Sequence, residues 1–355
     1  MNGALLELTD VARTFDVSPP WLDRVLERKA RALLRAVDGV SLTVARGETL
    51  GLVGESGCGK STVARLIVGL HPPTRGTIKF DGVVLAGAGA ADGAGQRAAR
   101  RAMQMIFQDP YASLNPRWRV ADIVAEPIRA RAPDTPPAAI AARVDELLAQ
   151  VGLAAADSAK YPHQFSGGQR QRISIARALS THPRFLVCDE PTSALDVSVQ
   201  AQVLNLMRDL QRRLELAYLF ISHNLAVVHH IADRVGVMYL GRIVELAPTR
   251  RLFAVPQHPY TRMLLAAVPD LAMTGKARTA VAGEVPNPLD PPSGCVFHPR
   301  CPHANDRCRR EVPLLLGVEG GGFVACHAVA EQRLPPASVV VKAAIADASR
   351  GSVQL

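Results

Sequence analysis

The sequence predicts an α/β protein built on a mostly parallel sheet. Three observations carry that prediction. Short apolar runs such as "RFLVCDE" and "AYLFISH" alternate with longer amphipathic stretches such as "SVQAQVLNLMRDLQRRL", the pattern of buried parallel strands joined by helices. One apolar run, "TLGLV", leads into the glycine-rich "GESGCGKS" just before a helical stretch. Another, "FLVCDE", ends in two adjacent acids.

Residues 5–15 and 41–53 read as strands. In "SLTVARGETLGLVG" alternation gives way to a continuous apolar run, a change from a half-buried to a fully buried pattern. Between these strands, "WLDRVLERKARALLRAV" reads as an amphipathic helix with Trp21, Val25 and Leu26 on one face. A packed surface helix accounts for it better than a membrane anchor. A helix is expected from Ser61 to Leu70, and "GTIKFDG" reads as a short strand and turn. "LAGAGAADGAGQRAARRAM" reads as a flexible surface loop running into the start of a basic helix. Residues 118–180 are mostly helical, broken at "RAPDTPP". There follow the strand "RFLVCDE", a helix, the strand "AYLFISH", the helix "NLAVVHHIA" and the hairpin "RVGVMYLGRIVEL". After about residue 255 proline and glycine rise and the pattern weakens, which places a boundary there.

Composition narrows the function classes. A chain of 355 residues suggests two domains at about 150 residues each. Apolar residues make up 48%, yet no run reaches the roughly 18–20 residues of a membrane span. The start "MNGALLELTD" lacks the basic region of a secretory signal. The expectation is a cytosolic chain, in which clustered cysteines read as metal-binding or catalytic rather than as disulfides. The net charge of +9 fits nucleic acid, an anionic membrane surface or an anionic ligand. Aromatics are only 5% and no basic tract is interleaved with them, so a stacking platform for single strands is absent. Solvated arginines on helices, with some bias toward lipid headgroups, account for the charge.

Gly54 to Ser61 fits the phosphate-loop pattern G-x-x-x-x-G-K-[ST]. Gly54, Gly57 and Gly59 let the backbone curl so that successive N–H groups face phosphate oxygens. The helix that follows adds the positive end of its dipole. Lys60 reaches the β- and γ-phosphates, and the Ser61 hydroxyl can ligate Mg²⁺. On this pattern alone, a glycine-rich strand–helix turn competes. The strand "FLVCDE" supplies the other half. Asp189 is placed to hold Mg²⁺ opposite Ser61, and Glu190 to polarise an attacking water as general base. Paired acids at a strand end also cap helices, and "PTSALD" does begin a turn before one. That reading leaves the phosphate loop unexplained.

"FSGGQRQRISIARAL" (Phe165 to Leu179) resembles the signature sequence of ABC-type ATPases. Six elements of that family occur in its order between about residues 5 and 245. They are the phosphate loop, Gln108 in "MIFQDPYASLNP", the signature, the Asp189–Glu190 pair, "SALD" (Ser193 to Asp196) and His223 in "FISH". The resemblance implies an ABC-type P-loop NTPase core: a mostly parallel sheet plus an antiparallel β part, with a helical subdomain at about 109–182. It implies ATP and Mg²⁺ as ligands. ATP contacts then fall to Gly54, Glu55, Ser56, Gly57, Cys58, Gly59, Lys60, Ser61 and Thr62. Mg²⁺ falls to Ser61, Gln108 and Asp189. Phe15 in "ARTF" would stack on adenine, although the segment offers no tyrosine. Gln108 would sense Mg²⁺ and the lytic water, and His223 would hold the γ-phosphate and that water. Ser166, Gly167, Gly168 and Gln169 would close over the phosphate loop of a second cassette packed head to tail, and Asp196 joins the nucleotide-contacting set. The physics agrees: "SGG" opens a helix, so a hydroxyl, bare N–H groups and a positive dipole end can face a γ-phosphate. The implied reaction is ATP hydrolysis by positioning and electrostatics.

Nearly continuous stretches, including "QDPYASLNP", "DEPTSALDVSVQAQVLNLMRDLQ" and "QHPYTRMLLAAVP" (Gln257 to Pro269), are similar to the ATP-binding subunits of oligopeptide/dipeptide importers. This implies a cassette at 1–255, an irregular importer-type extension at 256–330 and a tail at 331–355. Implied partners are a second ABC ATPase subunit (paralogous or identical), two transmembrane permease subunits and an extracytoplasmic solute-binding protein, with no nucleic acid. The chain would sit peripherally on the cytoplasmic face of the inner membrane. Peptide, nickel or another small solute remains open as cargo. A soluble ABC ATPase of DNA repair or translation is the competing class, and usually has two cassettes or a coiled-coil or zinc insertion. Two departures from the pattern are Asn224 after His223 and a long linker at 86–100.

Cys295, Cys301, Cys308 and Cys326 are spaced x5, x6 and x17, with His298 and His303 among them and His327 beyond. Zinc sites favour tighter C-x₂₋₄-C pairs, whereas a cubane cluster takes four cysteines from a looped segment. The resemblance favours [4Fe–4S], which some importer ATPases carry in this extension. Zinc, unligated thiols or a disulfide are the alternatives. Cys58 and Cys188 read as small hydrophobes rather than ligands of that site.

Overall fold

The computed structural model describes residues 3–20, 23–24, 30–90, 93–267 and 283–335. In chain order come β1 (Ala4–Asp16), β2 (Leu33–Ala45), β3 (Thr49–Val53), α1 (Lys60–Ile67), β4 (Arg75–Phe80), β5 (Val83–Ala86), α2 (Ala94–Arg101) and β6 (Met103–Ile106). Next are α3 (Val120–Arg131), α4 (Pro137–Gln150), α5 (Gly167–Leu179), β7 (Phe185–Asp189), α6 (Val197–Leu214), β8 (Ala217–Ile221), α7 (Leu225–Ile231), β9 (Arg234–Tyr239) and β10 (Arg242–Pro248). The C-terminal part adds α8 (Thr249–Ala254), α9 (Pro259–Ala266), β11 (Leu316–Gly317) and β12 (Phe323–Val324).

The strands form two sheets. The central one runs β11-β12-β10-β9-β3-β8-β7-β6. Its middle is parallel: β3 pairs β8 and β9, β7 pairs β8, and β6 pairs β7. Strands β3, β7 and β8 are buried at every residue, as the continuous apolar runs require for a sheet covered on both faces. The second sheet, β2-β1-β4-β5, is antiparallel. One apolar core lies between the two sheets, around Leu6, Val40, Leu50, Val63 and Ile78. The other packs α3–α7 on the opposite face of the central sheet. Functional loops therefore emerge at the C-terminal ends of parallel strands, where open α/β sheets bind ligands.

Four expectations are revised. The segment read as one helix ends too late: Leu33–Val37 is the start of β2, and its backbone pairs with β1 from Asp16 to Arg13. Strand pairing with β1 overrides the helical periodicity there. Trp21, Val25 and Leu26 lie outside the described residues. The strand at 41–53 is two strands in two sheets, divided by a turn at Gly47 (φ 69°). The Ala/Gly stretch is shorter than a loop of 86–100, because α2 docks by its side chains: Gln96 Nε2 and Arg100 Nη2 both donate to the Leu85 carbonyl, at 2.7 and 2.9 Å. The extension is not wholly irregular, since β12 pairs with β10 and lengthens the central sheet. Residues 336–355, most of the expected tail, lie outside the described residues.

Candidate active site

The phosphate loop connects β3 to α1. Gly59 occupies the position before the helix at φ 107°, and a Cβ there would meet the Ala36 carbonyl oxygen at 2.2 Å. Only glycine makes that turn without strain. No side chain caps α1, so its first N–H groups remain available to an anion. Lys60 Nζ donates to the carbonyls of Gly54 and Glu55 at 2.8 and 3.0 Å, folded over its own loop. Cys58 is buried beneath, and burial raises its thiol pKa.

The acids sit opposite. Ser61 Oγ donates to Asp189 Oδ1 at 3.0 Å, bringing together two of the three predicted Mg²⁺ ligands at the ends of β7 and the phosphate loop. Burial pushes the Asp189 carboxyl up, and the Ser61 hydroxyl pulls it back. A divalent cation at this point would offset that penalty. Next to it, Glu190 is held at φ 47°, a left-handed conformation that costs a non-glycine residue energy. Its N–H donates to the Ile221 carbonyl at 3.0 Å. Its Oε2 accepts from Gln108 Nε2 at 3.1 Å and lies 3.2 Å from His223 Nδ1. Asn224, the departure after His223, caps α7 by accepting from Ala226 N–H at 3.0 Å.

A cleft of about 900 Å³ opens over these groups, lined by Phe15, Ser56, Gly57, Gly59, Lys60, Ser61, Thr62, Gln108, Glu190 and His223. Phe15 carries the Arg13 guanidinium over its ring at 4.5 Å and meets His71 edge-on at 5.3 Å. Gly54, Cys58 and Asp189 are not among the residues that line it. Glu55 does not line the cleft with its side chain, which is held by the C-terminal extension. Arg300 Nη1 and Nη2 donate to its two carboxylate oxygens at 2.8 and 3.1 Å.

The signature residues stand apart from this cleft. Ser166 Oγ accepts from Gln169 N–H at 3.3 Å, and Gln169 Oε1 accepts from Ser166 N–H at 3.0 Å. This capping box sets the start of α5 and leaves Gly167 without a side chain in the way. Gly168 packs on α6, where an added Cβ would stand 2.3 Å from Val199 Cγ1. Asp196 caps α6, accepting from Val199 N–H at 2.9 Å. None of Ser166, Gly167, Gly168, Gln169 and Asp196 lines the chain's own cleft.

Comparison with known proteins identifies the family. The family described as ABC transporter matches residues 37–193, and the family described as oligopeptide/dipeptide transporter, C-terminal region, matches residues 244–308. The oligopeptide transport ATP-binding protein AppF of Bacillus subtilis is 48% identical over 91% of this chain and 97% of its own. The chain belongs to the ATP-binding proteins of the ABC transporter family. The di/tripeptide transport ATP-binding protein DppF of Pseudomonas aeruginosa is 49% identical over 91% of this chain and 97% of its own. Among solved structures, the ATP-binding cassette MJ0796, a dimer in a post-hydrolysis state bound to ADP and Pi, superposes with a TM-score of 0.59. It is 25% identical and covers 69% of this chain and 99% of its own. This ABC protein is therefore an ATPase with the P-loop fold. Among its described residues, no helix is long and apolar enough to cross a membrane.

Sequence reasoning missed how much of this ABC protein's cleft comes from its C-terminal extension. Pro288, Pro291, Pro292, Ser293, Gly294, Val296 and Val312 line the wall beside the phosphate loop. No local pattern announces a contact of this kind. The four extension cysteines carry no disulfide. Cys295, Cys308 and Cys326 are buried and Cys301 is partly exposed. Burial pushes the thiols of Cys295 and Cys301 up to about 12 and about 11 and also raises Cys326. Among the described residues no group of three or more His, Cys, Asp or Glu side chains is arranged around a single metal ion. His298 and His327 are engaged elsewhere, with ring nitrogens 3.0 Å from the carbonyls of Cys295 and Glu311 respectively.

Proposed function

We propose that the chain powers the import of oligopeptides, dipeptides or a related small solute through membrane subunits encoded separately. The observation that carries this reading is the join of two features in one chain: the ATPase cleft, and the His258–Tyr260 segment and its continuation, matched to peptide-transporter C-terminal regions. The division into a cassette at 1–255, an extension at 256–330 and a tail from 331 belongs to the same reading. So does attachment to the cytoplasmic face of the membrane through two permease subunits fed by a solute-binding protein.

The residues divide the work as follows. Backbone N–H groups of the phosphate loop and Lys60 cradle the β- and γ-phosphates, and Phe15 takes the base. Ser61 and Asp189, with Gln108 beside them, would hold Mg²⁺, which would supply positive charge to offset that of the phosphates. Glu190 withdraws a proton from the attacking water. His223, 3.2 Å from it, donates toward the γ-phosphate oxygens and keeps that water in line. Serving both neighbours through one oxygen, Oε2, fixes Glu190's other oxygen for the water. Ser166 to Gln169 and Asp196 face outward to close the nucleotide site of a second cassette, and the partner returns the same residues here. Hydrolysis then dissolves the contact and the two cassettes part.

The extension cysteines suit a [4Fe–4S] cluster. The one short extension supplies four cysteines, the donor set of a cubane, and iron would offset the burial that favours the neutral thiols of Cys295, Cys301 and Cys326. Cys295, Cys301, Cys308 and Cys326 would hold the cluster without taking part in the ATP chemistry, since none of the four lines the cleft. The functional reading is tested in cells lacking the gene. Labelled di- and oligopeptide uptake should return with the wild-type chain and not with Glu190→Gln. Uptake that is untouched by the deletion would overturn it.

A further inference from the structure

Glu55, the second residue of the phosphate loop, is gripped from outside the loop at two points. Its backbone N–H donates to the Tyr260 hydroxyl at 3.0 Å. Its carboxylate takes a two-pronged hydrogen bond from Arg300 at 2.8 and 3.1 Å. Both partners belong to the C-terminal extension, 205 and 245 residues away in sequence. Neither touches the nucleotide cleft itself.

The support behind these two groups is dense. The Arg300 side chain is 3% exposed. Its Nη1 also donates to the Tyr239 hydroxyl at 3.3 Å, and its guanidinium lies 5.7 Å from the Tyr239 ring centre. Tyr239, Tyr260 and Phe297 pack ring against ring at 4.6 to 5.4 Å. His258 starts α9 by accepting from Tyr260 N–H at 3.0 Å, and buried Glu245 accepts from His258 N–H at 2.8 Å. Tyr260 is thus aimed by its own helix start. A planar fork onto a carboxylate fixes orientation as well as distance, and a buried fork resists screening by salt.

We propose that Arg300 and Tyr260 are positioning residues of the phosphate loop: by holding Glu55 they set the loop in its nucleotide-receiving shape. The C-terminal extension is then a working part of the ATP site. The proposal rests on the reading of the cleft as a nucleotide site and adds to it residues that never touch nucleotide. A loop that grips the phosphates equally before and during reaction changes affinity more than turnover. Losing Arg300 or Tyr260 should therefore raise the Kd and KM for MgATP and leave kcat within a small factor.

The experiment is calorimetric titration of the full-length chain with MgADP and with MgATPγS, together with steady-state kinetics. Arg300→Gln and Glu55→Gln should each weaken binding about tenfold, the scale of one lost charge-assisted pair. The double variant should be no weaker than either single one, because both remove the same link. Arg300→Lys, which keeps the charge and loses the fork, should fall between. Tyr260→Phe removes a single hydroxyl, so it tests the idea with the fold intact even where Arg300→Gln folds poorly. It should weaken binding several-fold with kcat preserved. Wild-type affinity in folded Arg300→Gln or Tyr260→Phe would overturn the proposal, as would losses that multiply in the double variant. A wild-type chain that binds neither nucleotide, with Lys60→Ala no different, would instead sink the nucleotide reading on which the proposal stands.

Discussion

Glu190 and His223 come from the ends of neighbouring parallel strands and meet at 3.2 Å, Oε2 to Nδ1. Gln108 Nε2 donates to that same oxygen at 3.1 Å. A carboxylate held by two partners and strained to φ 47° is a preorganised group, and hydrolysis should depend on it far more than binding does. Glu190→Gln keeps the shape and removes the base. Phosphate release should drop about 10²- to 10⁴-fold, while MgATP affinity stays near wild type. A variant retaining more than about a tenth of the activity would remove Glu190 from the role of base.

Gly168 separates binding from hydrolysis in a different way. It faces Val199 of α6 so closely that an alanine methyl would sit 2.3 Å from Cγ1, so the packing of the start of α5 on α6 must change. That start does not line the chain's own cleft. Gly168→Ala should bind MgATP normally as an isolated chain and lose most ATPase activity in the assembled complex, measured side by side. Weakened binding by the isolated chain would argue that the signature serves its own nucleotide.

His258 makes the extension acid-sensitive. Burial holds its ring at about 3, against an ordinary 6.5. Between those values the unfolded chain binds a proton that the folded chain refuses, so stability falls as pH drops. The contribution is complete above about 6.5 and is lost toward 3, at up to ~1.4 kcal/mol per pH unit. His258→Asn keeps an acceptor for Tyr260 N–H without the titration. Denaturant unfolding at about pH 7 and pH 5 should show a steeper loss for wild type than for the variant. Parallel losses would show that His258 stays neutral in both states or charges in both.

The cysteine site has its own check. Chain purified without oxygen should carry iron and sulfide in about a four-to-four ratio with a broad visible absorbance, and Cys308→Ser should lose both. Stoichiometric zinc, or a colourless chain free of metal, would retire the cluster.

How much of this was legible in the sequence follows from how local each feature is. The phosphate loop, "FLVCDE" and "SGGQ" are encoded by neighbouring residues, because a turn, a strand end and a helix start each need particular types in a short window. The change from alternation to continuous burial within "SLTVARGETLGLVG" is legible, but 41–53 reads as one strand, whereas Val44 lies in the outer sheet and Leu50 in the central one. What stayed hidden depends on distant partners. Leu33–Val37 has helical periodicity and becomes a strand because β1 lies alongside. Glu55 looks like one more phosphate-loop residue until Arg300, far along the chain, takes its carboxylate.

The central claim is ATP hydrolysis coupled to peptide movement through a membrane complex. The most direct measurement is ATPase activity of the full-length chain co-purified with its membrane subunits and reconstituted in proteoliposomes, with and without peptide and solute-binding protein. The account predicts activity that rises several-fold with loaded binding protein and disappears in Glu190→Gln. Hydrolysis indifferent to peptide, by a chain that never associates with membrane subunits and responds to nucleic acid instead, would contradict it.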